Sequence, residues 1–305
     1  MAQDLFARRP GVVEVFVWDK RKDKTPWGLY KTAKRLESFG AALAVSAHKS
    51  ARSALLLALA RVPLRVGFST AKLSFLYHAL VPEDTTLPVV KRKLRLLSAL
   101  GLPVPERCVP LSDPGVDQAQ KARVQAMLVQ VFGYLPFELV GLAPGSVWQT
   151  KRWPVEHFIE LVKMFKVRLG MECVLIGGQE DRTIAREIQK GLPFPLADFT
   201  GRTTIADLFA AIQALKLLVS NDSAPMHVAF LLGVPVVGIF GPTTARFGFV
   251  PFGENTCVAE IELSCRPCAR HGGRHCPKGH FLCMRGLDPE KVFEMGGSLL
   301  ARPRQ

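Results

Sequence analysis

The sequence predicts an α/β protein of two domains, each a parallel sheet covered by helices. Three observations carry this. Short apolar runs alternate with helical patterns almost throughout the chain. The alternation breaks once, at the proline-rich stretch PVPERCVPLSDPG (103–115), and restarts as FELVGLA after the turn GYLP. The 305 residues, 48% of them hydrophobic, suffice for two cores of ordinary size. The boundary is expected near residue 135, giving domains 1–135 and 136–305, the second with a Cys-rich loop at 265–283.

In the first domain, VVEVFVW (12–18), ALAVSAH (42–48) and LRVGF (64–68) read as strands. Helices are expected near 28–39, 50–61 and 88–100, and a further one at 116–132 follows the proline-rich stretch. The second domain is more regular. Strand FELVGLA leads to helix PVEHFIELVKMFKVRLG, where Pro154 suits a helix start because its missing N–H has no role there. Strand ECVLIGG, helix DRTIAREIQKG, helix TIADLFAAIQAL, strand KLLVSND, helix PMHVAFLLG and strand VPVVGIFG follow in order. No fixed-period repeat appears, which excludes solenoids and propellers.

The N-terminal residues show no secretory signal pattern, and the longest apolar runs are broken by Arg61 or Pro235. A soluble, cytoplasmic protein is expected. A formal charge of +14 implies acidic company. Lys20, Arg21, Lys22, Lys24, Lys31, Lys34 and Arg35 form one basic cluster and KRKLR (91–95) another. Each reads either as a solvated helix face or as a patch drawn to an anionic membrane or substrate.

Two turns at strand ends carry the candidate chemistry. In SNDSAPMH (220–227) a polar turn separates a buried strand from a short helix, so free backbone N–H groups and the helix dipole favour an anion there. The alternative is simple capping by Asp222 or Ser223. In GSVWQTKRWP (145–154), Lys151 stands beside the hydroxyls of Ser146 and Thr150. Loops leaving the carboxyl ends of parallel strands converge on one crevice, so both turns can face one diphosphate. Taken singly, Lys151 reads as a surface lysine sooner than as a ligand. No G-x-G-x-x-G is present, which argues against a nicotinamide site.

Cys265, Cys268, Cys276 and Cys283 form a compact four-thiol set, with His271, His275 and His280 as substitute ligands. In a cytoplasmic protein this pattern reads as a structural zinc site; another metal or an Fe–S cluster, and unligated thiols or disulfides, are the alternatives. Cys108, Cys173 and Cys257 read as small packed apolar residues.

The blocks LAPGSVWQTKRWPVEHFIELV, IGGQED and NDSAPMHVAFLLGVPVVGIFGPT resemble the lipopolysaccharide heptosyltransferases of glycosyltransferase family 9. The resemblance covers roughly residues 10–300 and is most specific in the second half. It implies a GT-B architecture of two Rossmann-like domains and an inverting transfer of heptose, or a related sugar, from an ADP-sugar to a lipopolysaccharide core acceptor. Ser146 and Lys151 would contact the phosphates, with Lys151 stabilising the leaving group. Asp222 and the amides of Ser223 and Ala224 would cradle the diphosphate and sugar. His227 and Thr243 would line or brace the pocket, and Glu180 would lie near the ribose or adenine unless it only caps its helix. Lys49 and Arg52 in AHKSARSALL would meet an acidic acceptor such as a Kdo carboxylate or lipid A phosphate. No cofactor or metal is implied for the transfer step. Contact with the anionic inner membrane surface is expected, and nucleic acid binding is not.

The family's usual opening strand, loop with a general-base Asp, helix and second strand have no counterpart before MAQDLFARRPGVVEV, so the N-terminal domain is expected to be incomplete. Neither Asp4 nor Asp19 matches the base. Two other readings remain at this level: a non-catalytic sugar-nucleotide binder and a basic nucleic-acid-binding protein.

Overall fold

The computed structural model describes residues 11–18, 25–105, 110–111, 115–244, 253–269 and 271–302. The chain divides into two compact units, Glu14–Arg107 and Cys108–Gln305, the latter joined by residues 11–13. Helix α4 (Gln118–Phe132) belongs to the second unit, not to the first domain as the boundary at 135 implied. Its Val124 and Leu128 pack with Ala210 and Ala211 of α7 (Ile205–Gln213) and with strand residue Leu139. A proline-rich stretch marks a change of direction, whereas burial decides ownership.

The first unit carries a three-stranded parallel sheet, β1 (Leu43–Val45), β2 (Leu64–Phe68) and β3 (Ala79–Val81), in the order β1-β2-β3. Helices α1 (Pro26–Ser38), α2 (Ala51–Leu59) and α3 (Val89–Leu94) accompany it. The side chains of Thr25 and Ser50 cap α1 and α2. The expected strand at 12–18 forms no ladder; Val13 and Val17 are exposed, and Phe16 instead packs edge-on against Phe39, 5.6 Å between centroids, under the Arg35 guanidinium. An apolar run supplies a strand-like segment but no partner edge. The expected helix at 88–100 is α3 followed by a 3₁₀ segment, Arg95–Leu100.

The second unit is a six-stranded parallel sheet of β4 (Leu139–Ala143), β5 (Glu172–Leu175), β6 (Ala197–Asp198), β7 (Leu217–Asn221), β8 (Val236–Ile239) and β9 (Thr256–Ala259). The spatial order is β6-β5-β4-β7-β8-β9. From β4 the chain builds outward one way through β5 and β6, then returns beside β4 and builds the other way. The switch in direction lies between β4 and β7, where Ala143 pairs with Ser220.

Both faces of this sheet are covered. One core holds Phe158, Leu161, Val162 and Phe165 of α5 (Val155–Leu169) and Val292 and Leu299 of α10 (Pro289–Leu300). The other holds residues of α4, α7 and α8 (Ala224–Leu231). Each large apolar side chain so buried contributes about 1.5–3 kcal/mol, which makes this sheet a rigid base for its loops. Thr204 and Asp207 form a capping box at the start of α7. Helices α6 (Arg182–Lys190) and α9 (Leu282–Arg285) complete the unit. No helix among the described residues is long and apolar enough to cross a membrane.

Candidate functional site

In doubly wound sheets, ligands bind beyond the carboxyl ends of the strands at the switch in strand order. Here the turns following β4 and β7 flank that point, and buried polar contacts tie them together. Asn221 donates from Nδ2 to the Pro144 carbonyl at 2.7 Å and accepts from the Trp153 N–H at 3.2 Å. The Ser146 hydroxyl reaches the Asp222 carbonyl at 3.4 Å, and Arg152 Nε donates to the Ser146 carbonyl at 2.9 Å. Trp153, itself buried, donates from Nε1 to the Leu287 carbonyl. Sequences 77 residues apart are thus held as one surface.

At the centre lies an ion pair. Lys151 Nζ sits 2.5 Å from Asp222 Oδ2, with the two side chains only 11% and 7% exposed. The Thr243 hydroxyl donates to the same carboxylate oxygen at 3.0 Å. Lys151 is therefore not a surface lysine. Asp222 does not cap α8 either, because its carboxylate is committed to Lys151 and Thr243. Ser223 holds the N-cap position in extended conformation but makes no side-chain cap hydrogen bond. Pro225 has no N–H, so the free donors of this helix start are the amides of Ser223, Ala224 and Met226. Burial pushes the His227 imidazole below its ordinary pKa; Asp222 opposes that shift and Lys151 reinforces it.

Beside the pair opens a pocket of about 290 Å³ lined by Gly145, Ser146, Gly178, Glu180, Ser223 and Ala224, among others. Four of the sequence-predicted residues, Ser146, Glu180, Ser223 and Ala224, meet there. Lys151, Asp222, His227 and Thr243 are not part of its lining. Thr203, Thr204 and Leu208 complete the wall opposite and carry no sequence signal beyond helix capping.

The sequence reading missed Asp181. Its buried carboxylate accepts the Gly178 N–H at 2.8 Å and lies under the β4 turn, where a Cβ on Gly145 would fall 2.2 Å from it. Burial raises its pKa above the ordinary aspartate value, while the Gly178 hydrogen bond and Arg152 oppose the shift. Both glycines of the IGG sequence lie against this group: Gly177 directly, and Gly178 through its N–H.

The other predicted residues fare differently. Lys49, in the first unit, is paired with Glu83 at 2.7 Å, an acceptor it shares with the Thr70 hydroxyl. Arg52 lies on α2 of the same unit. Among the described residues, no group of three or more His, Cys, Asp or Glu side chains is found placed to hold a metal ion. Cys283 is buried on α9 in the core, which pushes its thiol up to about 11, and Cys265 contacts His280 at 3.9 Å. Beyond burial, Cys268, Cys276 and Cys265 also raise the Cys283 thiol, so the four thiols of the expected set lie near one another. Cys173 and Cys257 are free thiols packed against the sheet core, as expected of small apolar residues. Asp4, Asp19, Cys108, Arg270 and the lysines and arginine at 20–24 lie outside the described residues.

A doubly wound parallel α/β unit with its polar groups buried at the switch point defines a class of ligand-binding fold. The family follows from comparison: residues 29–277 match Glycosyltransferase family 9 (heptosyltransferase), and the chain belongs to that family. It is 32% identical to lipooligosaccharide heptosyltransferase 2 of Campylobacter jejuni over 168 residues, 53% of this chain and 51% of that protein. Matches of this kind span about half the length of the first curated relatives. Among solved structures, the family 9 glycosyl transferase of Veillonella parvula superposes with a TM-score of 0.82 at 23% identity, covering 98% of this chain and 85% of that one. The Escherichia coli heptosyltransferase WaaC, solved with ADP, gives 0.70 at 18% identity, covering 97% and 87%. These likenesses establish the fold, α/β of the GT-B heptosyltransferase type.

Proposed function

We propose that this chain is an inverting glycosyltransferase that moves a heptose, or a related sugar, from an ADP-sugar to an acceptor in the lipopolysaccharide core. The observation that carries the proposal is the Lys151–Asp222–Thr243 cluster, buried at the switch point beside a pocket rimmed by the amides that open α8. Family membership and the ADP bound to a structural neighbour support the choice of donor.

In the reaction an acceptor hydroxyl gives its proton to a base, a role we assign to no residue of this chain. The oxygen attacks the anomeric carbon from the face opposite the diphosphate. The bond from that carbon to the phosphate oxygen breaks, and its electron pair leaves with ADP. Negative charge grows on the leaving phosphate in the transition state. Lys151, held at low exposure, and the oriented amides of Ser223 and Ala224 meet that charge without reorganising, which is where fixed electrostatics contribute most. Asp222 holds the ammonium in place before the substrate arrives. In this reading Glu180, Thr203 and Thr204, which line the pocket, receive the nucleoside.

The first unit supplies the acceptor side of this reading, with Lys49 and Arg52 toward acidic groups of the acceptor. Peripheral contact with an anionic inner membrane surface, from the cytoplasm, fits the exposed face of α1. There Trp27 and Tyr30 stack at 5.6 Å and Lys31 lies 5.7 Å over the Trp27 ring. Nucleic acid is not an expected partner.

Calorimetric titration of the purified chain with ADP tests the donor reading. Binding is expected, with a rise in melting temperature equivalent to about 2.7 kcal/mol at a ligand concentration 100 times Kd. Absence of both heat and shift with ADP would sink it. Release of ADP from ADP-heptose, dependent on a core acceptor that lacks heptose, then tests transfer.

A further inference from the structure

The cysteine-bearing segment grips two turns around the ion pair, the one after β4 that carries Lys151 and the one after β8 that carries Thr243. Thr150, next to Lys151 and 5% exposed, is clasped to Gly273 by three hydrogen bonds. Its hydroxyl donates to the Gly273 carbonyl at 2.9 Å, its N–H donates to the same oxygen at 3.1 Å, and the Gly273 N–H donates to the hydroxyl at 2.8 Å. One residue earlier, Gly272 has φ +96, and a Cβ there would lie 2.8 Å from Trp148 Cβ and 3.2 Å from Lys151 Cε. The loop backbone therefore rests on the lysine stem itself, at a position where only glycine fits both the space and the left-handed conformation.

The same segment holds the turn after β8. The Arg266 side chain, 5% exposed, donates to the carbonyls of Phe240, Gly241, Ile261 and Thr243, the last at 2.9 Å, and pairs with Glu260 at 2.7 Å. The N–H groups of Cys268 and Ala269 donate to the Pro242 carbonyl. Thr243, gripped through its carbonyl, is the residue whose hydroxyl fixes Asp222. Lys151 is thus located from one side through Thr150 and Gly272, and its partner Asp222 from the other through Arg266 and Thr243.

We infer that Thr150 and Arg266 are positioning residues that deliver the cysteine-bearing segment as a clamp on the Lys151–Asp222 pair, and so set the affinity for the diphosphate of the donor. This rests on the donor reading above. The hydroxyl of Thr150 acts through the loop, not on the ligand. A buried hydroxyl with two partners leaves a valine of the same shape unable to replace either bond, and Gly273 loses its anchor.

The test compares ADP with adenosine on the full chain, by calorimetry well below the unfolding temperature. Thr150→Val is expected to weaken ADP about tenfold, the equivalent of one or two net hydrogen bonds, with adenosine affinity unchanged because adenosine carries no phosphate. Thr150→Ser, which keeps the hydroxyl, is expected to restore wild-type ADP affinity, and Arg266→Lys to weaken ADP with the same selectivity. Lys151→Gln serves as the reference for the site. If Lys151→Gln weakens ADP while Thr150→Val and Arg266→Lys bind it as wild type does, the clamp is wrong and the donor site stands. Equal losses for ADP and adenosine in Thr150→Val also overturn the clamp, since they report general damage to the pocket. If Lys151→Gln itself leaves ADP affinity unchanged, the donor reading fails.

Discussion

Both units place a lysine after the carboxyl end of a parallel strand and pair it with a carboxylate, but the two pairs are physically different. Lys151 follows β4 and meets Asp222, which follows β7, at 2.5 Å with both groups nearly out of water. Lys49 follows β1 and meets Glu83, which follows β3, at 2.7 Å, but the lysine is 41% exposed. Glu83 also lies 3.7 Å from Arg92 and accepts from Thr70. The first pair is bound in a rigid sheet between two cores; in the second only the lysine stands in solvent, and its buried carboxylate is shared with Arg92 and Thr70. Similar distances therefore say little about what each lysine is held for. A desolvated charge fixed by a buried partner is ready for a developing anion, whereas an exposed one is adjustable and suited to a variable acceptor.

Removing one member of each pair breaks the comparison most directly. Lys151→Ala leaves Asp222 buried with Thr243 as its side-chain partner, so it is expected to cost about 3–5 kcal/mol of unfolding free energy by urea titration. It should also abolish measurable ADP binding. A loss below about 1 kcal/mol would place Lys151 with exposed lysines such as Lys49 and remove the basis for calling it preorganised.

The β4 turn offers the next test. Gly145→Ala pushes a methyl against the Asp181 carboxylate, which the Gly178 N–H holds in place, and overpacking of this kind typically costs about 1–3 kcal/mol. ADP affinity should fall with it because Gly145 lines the pocket. Wild-type stability and affinity in this variant would show that the turn is slack and that the second unit is less rigid than its burial implies.

The second unit was far more legible in the sequence than the first, for reasons visible in single residues. Strands buried on both faces read as continuous apolar runs, and β4, β5, β7 and β8 fell where those runs stood. Short strands carry less signal: β3, three residues long, was missed, and the apolar 12–18 segment has no ladder partner. At the site, Lys151 and Asp222 were found as separate candidates, but no sequence rule says that two turns 71 residues apart share one ion pair. Asp181 was passed over because an acid at a helix start looks like a cap, and its burial under Gly145 is a property of packing alone.

A pH experiment sharpens the view of that buried carboxylate. Asp181 has a folded pKa raised above its unfolded value, chiefly by burial, so the folded state takes up a proton more readily than the unfolded chain. Its contribution is most favourable in acid and is lost as pH rises from the ordinary aspartate range through the raised value. Asp181→Asn removes this dependence. The variant should be the more stable of the two at pH 7, with the gap in melting temperature shrinking as pH falls toward 4. A gap that is constant with pH would assign the effect to packing instead of charge.

The smallest effect is expected on the first unit. Lys49→Ala removes one of several partners of Glu83, which keeps Arg92 and Thr70, and a pair whose lysine stands in solvent contributes about 0–1 kcal/mol. The pH sign is opposite to that of Asp181. The Glu83 carboxyl is held below its ordinary value, first by the Lys49 hydrogen bond, so its stabilising effect is present above the unfolded glutamate value and disappears as pH falls through the folded one. The difference between wild type and variant should therefore be visible near neutral pH, shrink with added salt, and vanish in acid. Salt sensitivity separates the two lysines most cleanly, because a pair at 11% and 7% exposure is screened far less than one whose lysine stands 41% in solvent. If Lys49→Ala instead proved costly and insensitive to salt, the two pairs would be equivalent, and the case for seating the diphosphate at Lys151 in preference to Lys49 would rest on the switch point alone.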